Sequence, residues 1–479
     1  MLLITGGRQA GVAGPGTYIS NGGTLKLDTV LNEGGAATRS DTLVVDGTLV
    51  GGLGATNMIV RNAGGGGALT VNDGILVVEV KDPARSAPGA FSLVGGRVTA
   101  GAFDYFLFHG GVSSPGAAGN WYLRNELVAP PPGTGIPVPT PAPGTPPLPT
   151  VVPGEAPIPL YDPEVPLKSV VPSLARTLGL ITLGTFNERQ GDQLLVRGDP
   201  NTWIGAWGRV FGQGTREQFA QGARPDFDGT FAGFQAGADL LRLESLSGHR
   251  DHIGFYVGQA RASGAVHGSV DGFDGAPAGH ADLDATSFGG YWTHLGPTNW
   301  YIDAVLQGTY FQTAENSIRG VANNFSGRGF AASIEGGYPI PLMSWLTFEP
   351  QIQGIWQRTS FDDSLGEGFS TITYDRSNVF TGRVGAFLRG TFGSTGAVWQ
   401  PYLKGNVWWG SNGGFDTVTF DGVGIQTKRN GGTTLEGGGG VTGKLTRNIS
   451  IYGDASYLTS VSGESRITLK GNVGARVTW

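Results

Sequence analysis

The sequence predicts an all-β chain whose larger part is an antiparallel β-barrel spanning a membrane, on three observations. Glycine is in excess, 84 of 479 residues, about twice average usage, and no G-X-Y period runs through the chain, which speaks for strands and turns and against collagen. Residues 201–479 read as long strands with one apolar and one polar face. The last of these strands carries Trp479 on its apolar face.

Composition narrows the function classes. A formal net charge of −6 and a pI near 5.6 argue against nucleic acid as a partner, because phosphate binding needs a basic surface. Without cysteine there is no disulfide, thiolate nucleophile or Cys-ligated metal, which on its own fits chance or a cytosolic β protein as well as a chain that crosses an oxidising compartment unfolded. No apolar run approaches the ~20 residues of a membrane helix. Met1–Gly7 lacks the basic and long apolar regions of a signal peptide, so the expectation is a fragment of a longer precursor.

Residues 1–128 hold short β-branched runs, Thr24–Val30, Thr42–Val45, Asn57–Val60 and Ile75–Val80, separated by turn signals such as Asp46-Gly47 and Asn72-Asp73-Gly74. Such spacing fits a sandwich or stacked solenoid coils. An aromatic cluster follows, Phe103, Tyr105, Phe106, Phe108, Trp121 and Tyr122, suited to capping an open sheet end. Residues 129–166 are a Pro-rich linker that forms extended structure and no core of its own. From 167 to 200 the apolar positions Val170, Leu174, Leu178, Ile181 and Phe186 recur at helical spacing, with Pro172 in the first turn if Ser169–Val171 start the helix. About twenty helical residues span about 30 Å, the thickness of a bilayer core.

In 201–479 the alternation is regular. Leu346, Phe348, Pro350, Ile352, Gly354 and Trp356 alternate with Thr347, Glu349, Gln351, Gln353 and Ile355; Ile302, Ala304, Leu306 and Gly308 oppose Asp303 and Gln307. About twelve such strands fit, an even number as bacterial barrels require. Asp303, Glu335 and Glu349 are expected to face the lumen, with Arg358, Arg383, Arg389 or Lys404 as candidate partners. In the last strand Ile467, Leu469, Val473, Ala475, Val477 and Trp479 face one way, and Thr468, Lys470, Asn472, Arg476 and Thr478 the other.

No GxSxG, HExxH, P-loop or calcium-loop motif occurs, so no catalytic residue, metal or cofactor is assigned. His249 and His252 have HxxH spacing but flank Arg250 and Asp251 in a turn, where a solvated loop is the simpler reading. The runs Gly64–Gly67 and Gly437–Gly440 lack the strand–turn–helix context of a phosphate loop and fit turns or close backbone packing.

Taken in order, these segments resemble the C-terminal part of pertactin-type autotransporters. Leu160–Gln193 is similar to their linker and helix, Trp203–Gly212 (WIGAWGRVFG) to their first barrel strand, and the terminal GARVTW to their last. Ser40–Gly47, Phe103–Phe108 and Gly119–Asn125 resemble the passenger's autochaperone-like region. The resemblance implies the end of a right-handed parallel β-helix (1–128) and a 12-stranded antiparallel transmembrane β-barrel (201–479) with a central lumen helix. Leu174, Leu178, Asn187, Glu188, Arg189 and Asp192 would belong to that helix, and Phe103, Tyr105, Phe108, Trp121 and Tyr122 to the autochaperone core. The face from Ile467 to Trp479 would be read by the barrel-assembly machinery. It further implies outer-membrane lipid and periplasmic chaperones as partners, a monomeric barrel, and a surface passenger exported by type V secretion. An adhesin binding a host surface is the alternative; a porin would need neither linker nor helix. Gly184 and Thr185 stand where self-cleaving relatives carry Asn-Asn, so cleavage by Asn cyclisation is not expected here.

Overall fold

A computed structural model describes residues 1–5, 15–35, 38–191, 205–393, 397–410, 414–429 and 431–479. Its N-terminal part settles the choice between sandwich and solenoid. Strands β1 (Leu2–Ile4), β4 (Leu43–Val45) and β7 (Ile75–Val80) stack in parallel, as do β2 (Gly16–Asn21) with β5 (Gly47–Gly54), and β3 (Thr24–Thr29) with β6 (Thr56–Asn62) and β8 (Phe91–Leu93). The first two turns of chain contribute one strand to each of three faces, and the third contributes β7 and β8 with the single bridge Leu49↔Ser86 between them, the arrangement of a parallel β-helix. Leu27, Leu43, Val45, Leu49, Met58, Val78 and Phe91 fill its interior.

Parallel stacking stops at an antiparallel hairpin, β9 (Phe103–His109) with β10 (Trp121–Arg124), whose second strand pairs antiparallel with β7. The aromatic cluster forms this cap. Trp121 meets Phe91 edge-on at 5.3 Å, Phe103 stacks on Tyr161 at 5.4 Å, and Tyr105 donates to the carbonyls of Asn32 (3.0 Å) and Ala68 (2.9 Å). Tyr122 lies 5.4 Å from the Arg124 guanidinium. The linker does more than span a gap. Thr140–Pro141 pairs with Phe108 and His109 along the open edge of β9, and Leu148, Val151 and Ile158 pack on Phe106, Phe108, Leu127 and Leu160. Proline suits such an edge, where an N–H would have no partner.

Helix α1 (Glu164–Leu183) starts before the expected 167, and Pro172 lies deep inside it rather than in its first turn. The reason is local: the Asp162 carboxylate accepts the Glu164 N–H at 2.7 Å, and Pro163 precedes the first helical residue. Gly184 (φ 60°) ends α1, so the expected single helix is two, the second being α2 (Phe186–Gln190).

Twelve antiparallel strands close a barrel: β11 (Gly205–Gln218), β12 (Asp226–Glu244), β13 (Arg250–Val270), β14 (Phe273–Leu295), β15 (Tyr301–Ser317), β16 (Ala322–Gly337), β17 (Leu346–Phe361), β19 (Ser377–Gly390), β20 (Val398–Gly410), β23 (Thr433–Lys444), β24 (Ile449–Ser460) and β25 (Arg466–Thr478). Each pairs with its neighbours, and the seam joins first to last, from Gly205↔Thr478 to Glu217↔Arg466. Side chains alternate as the pattern requires. Glu349, Gln351, Gln353 and Ile355 are buried inside, while Ile352 and Trp356 are exposed outside. Ile467, Leu469, Val473, Ala475, Val477 and Trp479 all face outward.

One mouth carries the longer connections. There β18 (Thr371–Tyr374) and the hairpin of β21 (Phe415–Phe420) and β22 (Val423–Lys428) form a small sheet. Ile372, Val418, Phe420 and Ile425 share one core with the β-helix and the start of α1. The Gly64–Gly67 run serves this packing: a Cβ on Gly66 would lie 2.7 Å from the Asp421 carbonyl oxygen.

The glycine excess in the barrel has a second use. Inward aromatic rings lie flat over glycines of adjacent strands: Trp207 over Gly237, Tyr291 over Gly254, Tyr256 over Gly289, Tyr452 over Gly474 and Tyr402 over Gly440. A Cβ at Gly289 would sit 2.1 Å from the Tyr256 ring, which donates to Gln307 at 2.7 Å. Gly289→Ala is therefore expected to displace the ring and cost about 1–3 kcal/mol, read as a lower temperature for loss of the heat-resistant folded band on gels. Gly405→Ala, at a site with open space around it, is the control.

Candidate functional site

The barrel encloses a lumen, and the chain itself fills it. Helix α1 enters from the mouth that carries the β-helix, and α2 lies at the level of Tyr301 and Arg476 near the opposite rim. One wall is apolar. Leu167, Val170, Leu174, Ala175 and Leu178 pack on Phe211, Phe231, Ala260, Leu283 and Phe311 from β11–β15. The facing wall is polar. Gln357 donates to the Arg176 carbonyl at 3.1 Å, and Arg176 pairs with Asp416 at 2.6 Å. A cavity of about 170 Å³ remains beside the helix, reached by Gln353, Trp408 and Lys470.

The lower half is held by charge. Arg209 donates to the carbonyls of Ile181 (2.8 Å) and Thr182 (3.1 Å), neutralising the partial negative charge at the end of α1. The Glu335 carboxylate accepts the Phe186 N–H at 3.0 Å at the start of α2. Thr185 and Glu188 cap α2 reciprocally, at 3.2 and 3.1 Å. Glu188 also pairs with Lys470 at 2.8 Å, which reaches Glu436 at 2.9 Å, and Lys404 binds Asp454 at 2.7 Å. Arg189 pairs with Asp303, Tyr452 donates to the Arg189 carbonyl at 2.6 Å, and Arg476 bridges Gln190 (2.6 Å) and Asp239.

Of the lumen residues named from sequence, Leu174 and Leu178 lie in the apolar contact, and Glu188 and Arg189 in ion pairs. The buried Asn187 side chain has no hydrogen-bond partner among the described residues, and Asp192 lies outside them. Asp303, Glu335 and Glu349 do face inward, with Arg189, Arg383 (3.0 Å) and Arg389 (2.9 Å) as partners. Arg358 is corrected: it alternates with the buried Gln357 and Thr359 and points outside. The roles of Arg209, Lys470, Glu436 and Tyr452 escaped sequence reasoning, because contacts between distant strands leave no trace in spacing. His249 and His252 do not converge; His249 meets His294 (3.0 Å) and His252 is 3.7 Å from Asp239.

At the other end an arginine cluster clasps the β-helix to the barrel. Arg319, between β15 and β16, reaches Asp104 of the cap, Asp162 of the linker (2.6 Å), Asp271 of the β13–β14 turn (3.3 Å) and Glu367 (3.4 Å). Arg97 adds a second cation at 3.3 Å from Asp271. Four carboxylates thus share two guanidiniums. Burial, and then the Asp104 charge, raise the Asp271 carboxyl to about 7, and burial raises Asp162 as well. An undocked Asp271 would titrate near about 3.9. Between these values the docked state binds the extra proton, so docking weakens as pH rises through 7 and strengthens below it. Thermal release of the β-helix from the barrel is expected at higher temperature at pH 5.5 than at pH 8. Asp271→Asn should remove the part of that profile centred near 7 and leave the contribution of Asp162.

The family described as "Autotransporter beta-domain" matches residues 206–456, more than half of the chain, and "Autochaperone Domain Type 1" matches residues 10–107. The chain belongs to the autotransporter family. It is 29% identical to the adhesin BmaC autotransporter of Brucella suis over 97% of its own length but only 13% of BmaC. It is 28% identical to the pertactin autotransporter of Bordetella bronchiseptica over 64% of its length and 32% of pertactin's. The uncharacterized protein YdeU of Escherichia coli is 28% identical over 97% of both chains. The crystal structure of the AIDA-I transport unit from Escherichia coli superimposes with a TM-score of 0.55 at 18% identity, covering 67% of this chain and all of that one. The chain therefore spans about an eighth to a third of BmaC and pertactin. Its barrel is an autotransporter translocator of the bacterial outer membrane, and the mouth bearing the β-helix is the cell-surface side.

Proposed function

We propose that this translocator exports its own N-terminal segment as a hairpin through the lumen, and that residues 40–128 fold first outside as the template for further β-helix coils. What supports the reading is order: the described chain passes from the surface cap into a closed barrel as α1 and α2, and β11 starts at the rim opposite the cap. Each added coil buries apolar side chains such as Leu43, Met58 and Val78, at about 1.5–3 kcal/mol per residue, which biases motion outward without ATP. Phe103, Tyr105, Phe108, Trp121 and Tyr122 would nucleate that template. Afterwards the lumen helix, with Leu174, Leu178, Glu188 and Arg189, would remain as the plug.

The partners in this reading are outer-membrane lipid, periplasmic chaperones on the unfolded chain, and the barrel-assembly machinery, which would read the outward row from Ile467 to Trp479. The barrel acts as a monomer, and no catalytic role falls to this part of the chain. A second reading, a surface adhesin, is favoured by the names of BmaC and AIDA-I.

Protease shaving tests export directly. Cells would express the chain behind a cleavable secretory signal, with an epitope tag ahead of residue 1. Added protease is expected to remove the tag from intact cells while residues 205–479 stay protected. A tag protected until lysis would refute export.

A further inference from the structure

We propose that the outer face of β16, β17 and β19, at the cell-surface rim, binds the phosphorylated headgroup of an outer-leaflet glycolipid through Arg328, Arg358 and Arg376. The register places them together. Phe330 pairs with Arg358 and Arg328 with Ser360, so Arg328 and Arg358 are diagonal neighbours on adjacent strands. Arg376 immediately precedes Ser377, which pairs with Thr359, and so stands beside Ser360 on the other side of β17. The group spans two strand spacings, about 10 Å.

Three features point to an anionic lipid. All three side chains are exposed, and none has an ion-pair partner among the described residues. The nearest carboxylates by sequence, Asp362 and Asp375, make no ion pair with them. Exposed arginines elsewhere around the surface half of the barrel are matched: Arg216 with Asp226 and Asp228 (4.0 Å), Arg224 with Asp274 (2.7 Å) and Arg261 with Asp282 (3.0 Å). Directly below the unmatched group lie Phe330, Trp356 and Phe380, exposed toward lipid, with the first two rings in edge contact at 5.9 Å. Aromatic rings of this kind mark the boundary of the hydrocarbon, so the guanidiniums stand at headgroup level. There, planar guanidinium forks take phosphate oxygens in pairs. A phosphorylated sugar whose acyl chains run down over Phe330 and Trp356 meets both halves of the patch.

The test uses the purified full chain in neutral detergent, with bisphosphorylated lipid A as probe and native mass spectrometry as readout. Native protein is expected to retain the lipid, and R328Q/R358Q/R376Q to bind it about a hundredfold more weakly, as three surface cations warrant. R216Q/R261Q is expected to bind as the native chain does. Lipid A stripped of its phosphates should bind the native protein as weakly as the intact lipid binds the triple variant. Undiminished binding by the triple variant overturns the proposal, as does equal binding of the dephosphorylated lipid. Displacement by equimolar inorganic phosphate, or equal retention of phosphatidylglycerol, overturns the glycolipid assignment. Heat-modifiable migration reports barrel folding; should the triple variant fail it, the single variants carry the test, each expected to lose about fivefold.

Discussion

Arg189→Met is expected to turn a sealed barrel into a conducting one. In the native chain the Arg189 guanidinium pairs with Asp303 and donates to the Leu183 carbonyl at 3.1 Å, tying α2 both to the wall and to the end of α1. Thr293 donates to the other side of Asp303 at 2.6 Å, so that carboxylate would keep one bond and lose its counter-charge. Removing one partner of a buried pair costs about 3–5 kcal/mol, comparable to the whole stability of a small domain. α2 is five residues long, and besides such contacts it is held by Phe186, packed on Leu295 and Tyr301. Planar-bilayer recordings should show the native chain with small, rare openings and the variant with conductance several-fold higher. Arg189→Met combined with Asp303→Asn should recover much of the seal, because no orphaned charge remains. Equal conductance in native and variant chains would mean that the apolar contact of Leu174 and Leu178 alone closes the lumen.

The second large effect concerns the outer face. Val473 stands midway along β25, exposed, between the inward Asn472 and the lipid-facing Ala475. Val473→Lys places a charge in the hydrocarbon at about 2–4 kcal/mol near the midplane. Cells carrying it should show a markedly smaller heat-modifiable fraction and less surface-exposed passenger, while Val473→Leu should match the native chain. Normal assembly of the lysine variant would contradict the assignment of this face to lipid.

Much of this was readable from residue order alone, for a definable reason. Period-two alternation along Leu346–Trp356 and Ile467–Trp479 states which way each side chain points, and all of those positions point as expected. The helix was visible in Val170, Leu174 and Leu178. Its start lies in Asp162-Pro163-Glu164, a capping side chain before proline, a signal shorter than the apolar period that points to Pro172. What alternation cannot state is register. Whether Tyr256 lies over Gly289, or Glu349 beside Arg389, depends on strands that slide by two residues without changing any face. The Arg319 clasp draws on residues 104, 162, 271 and 367, four segments with no common pattern. The apolar wall of Phe211, Phe231 and Phe311 was hidden for a different reason: these residues sit on the face that alternation marks as polar.

The seam between β11 and β25 has a consequence for biosynthesis. Gly205 pairs with Thr478, so the cylinder joins segments separated by the other ten strands, and every inner rung must exist before the ring can shut. A ribosome that stalls in β23 or a protease that nicks before β25 leaves an open ribbon with two bare edges, fit for degradation rather than insertion. Closure is thereby a property of the whole set of twelve strands, and loss of any one of them leaves the lumen without a continuous wall.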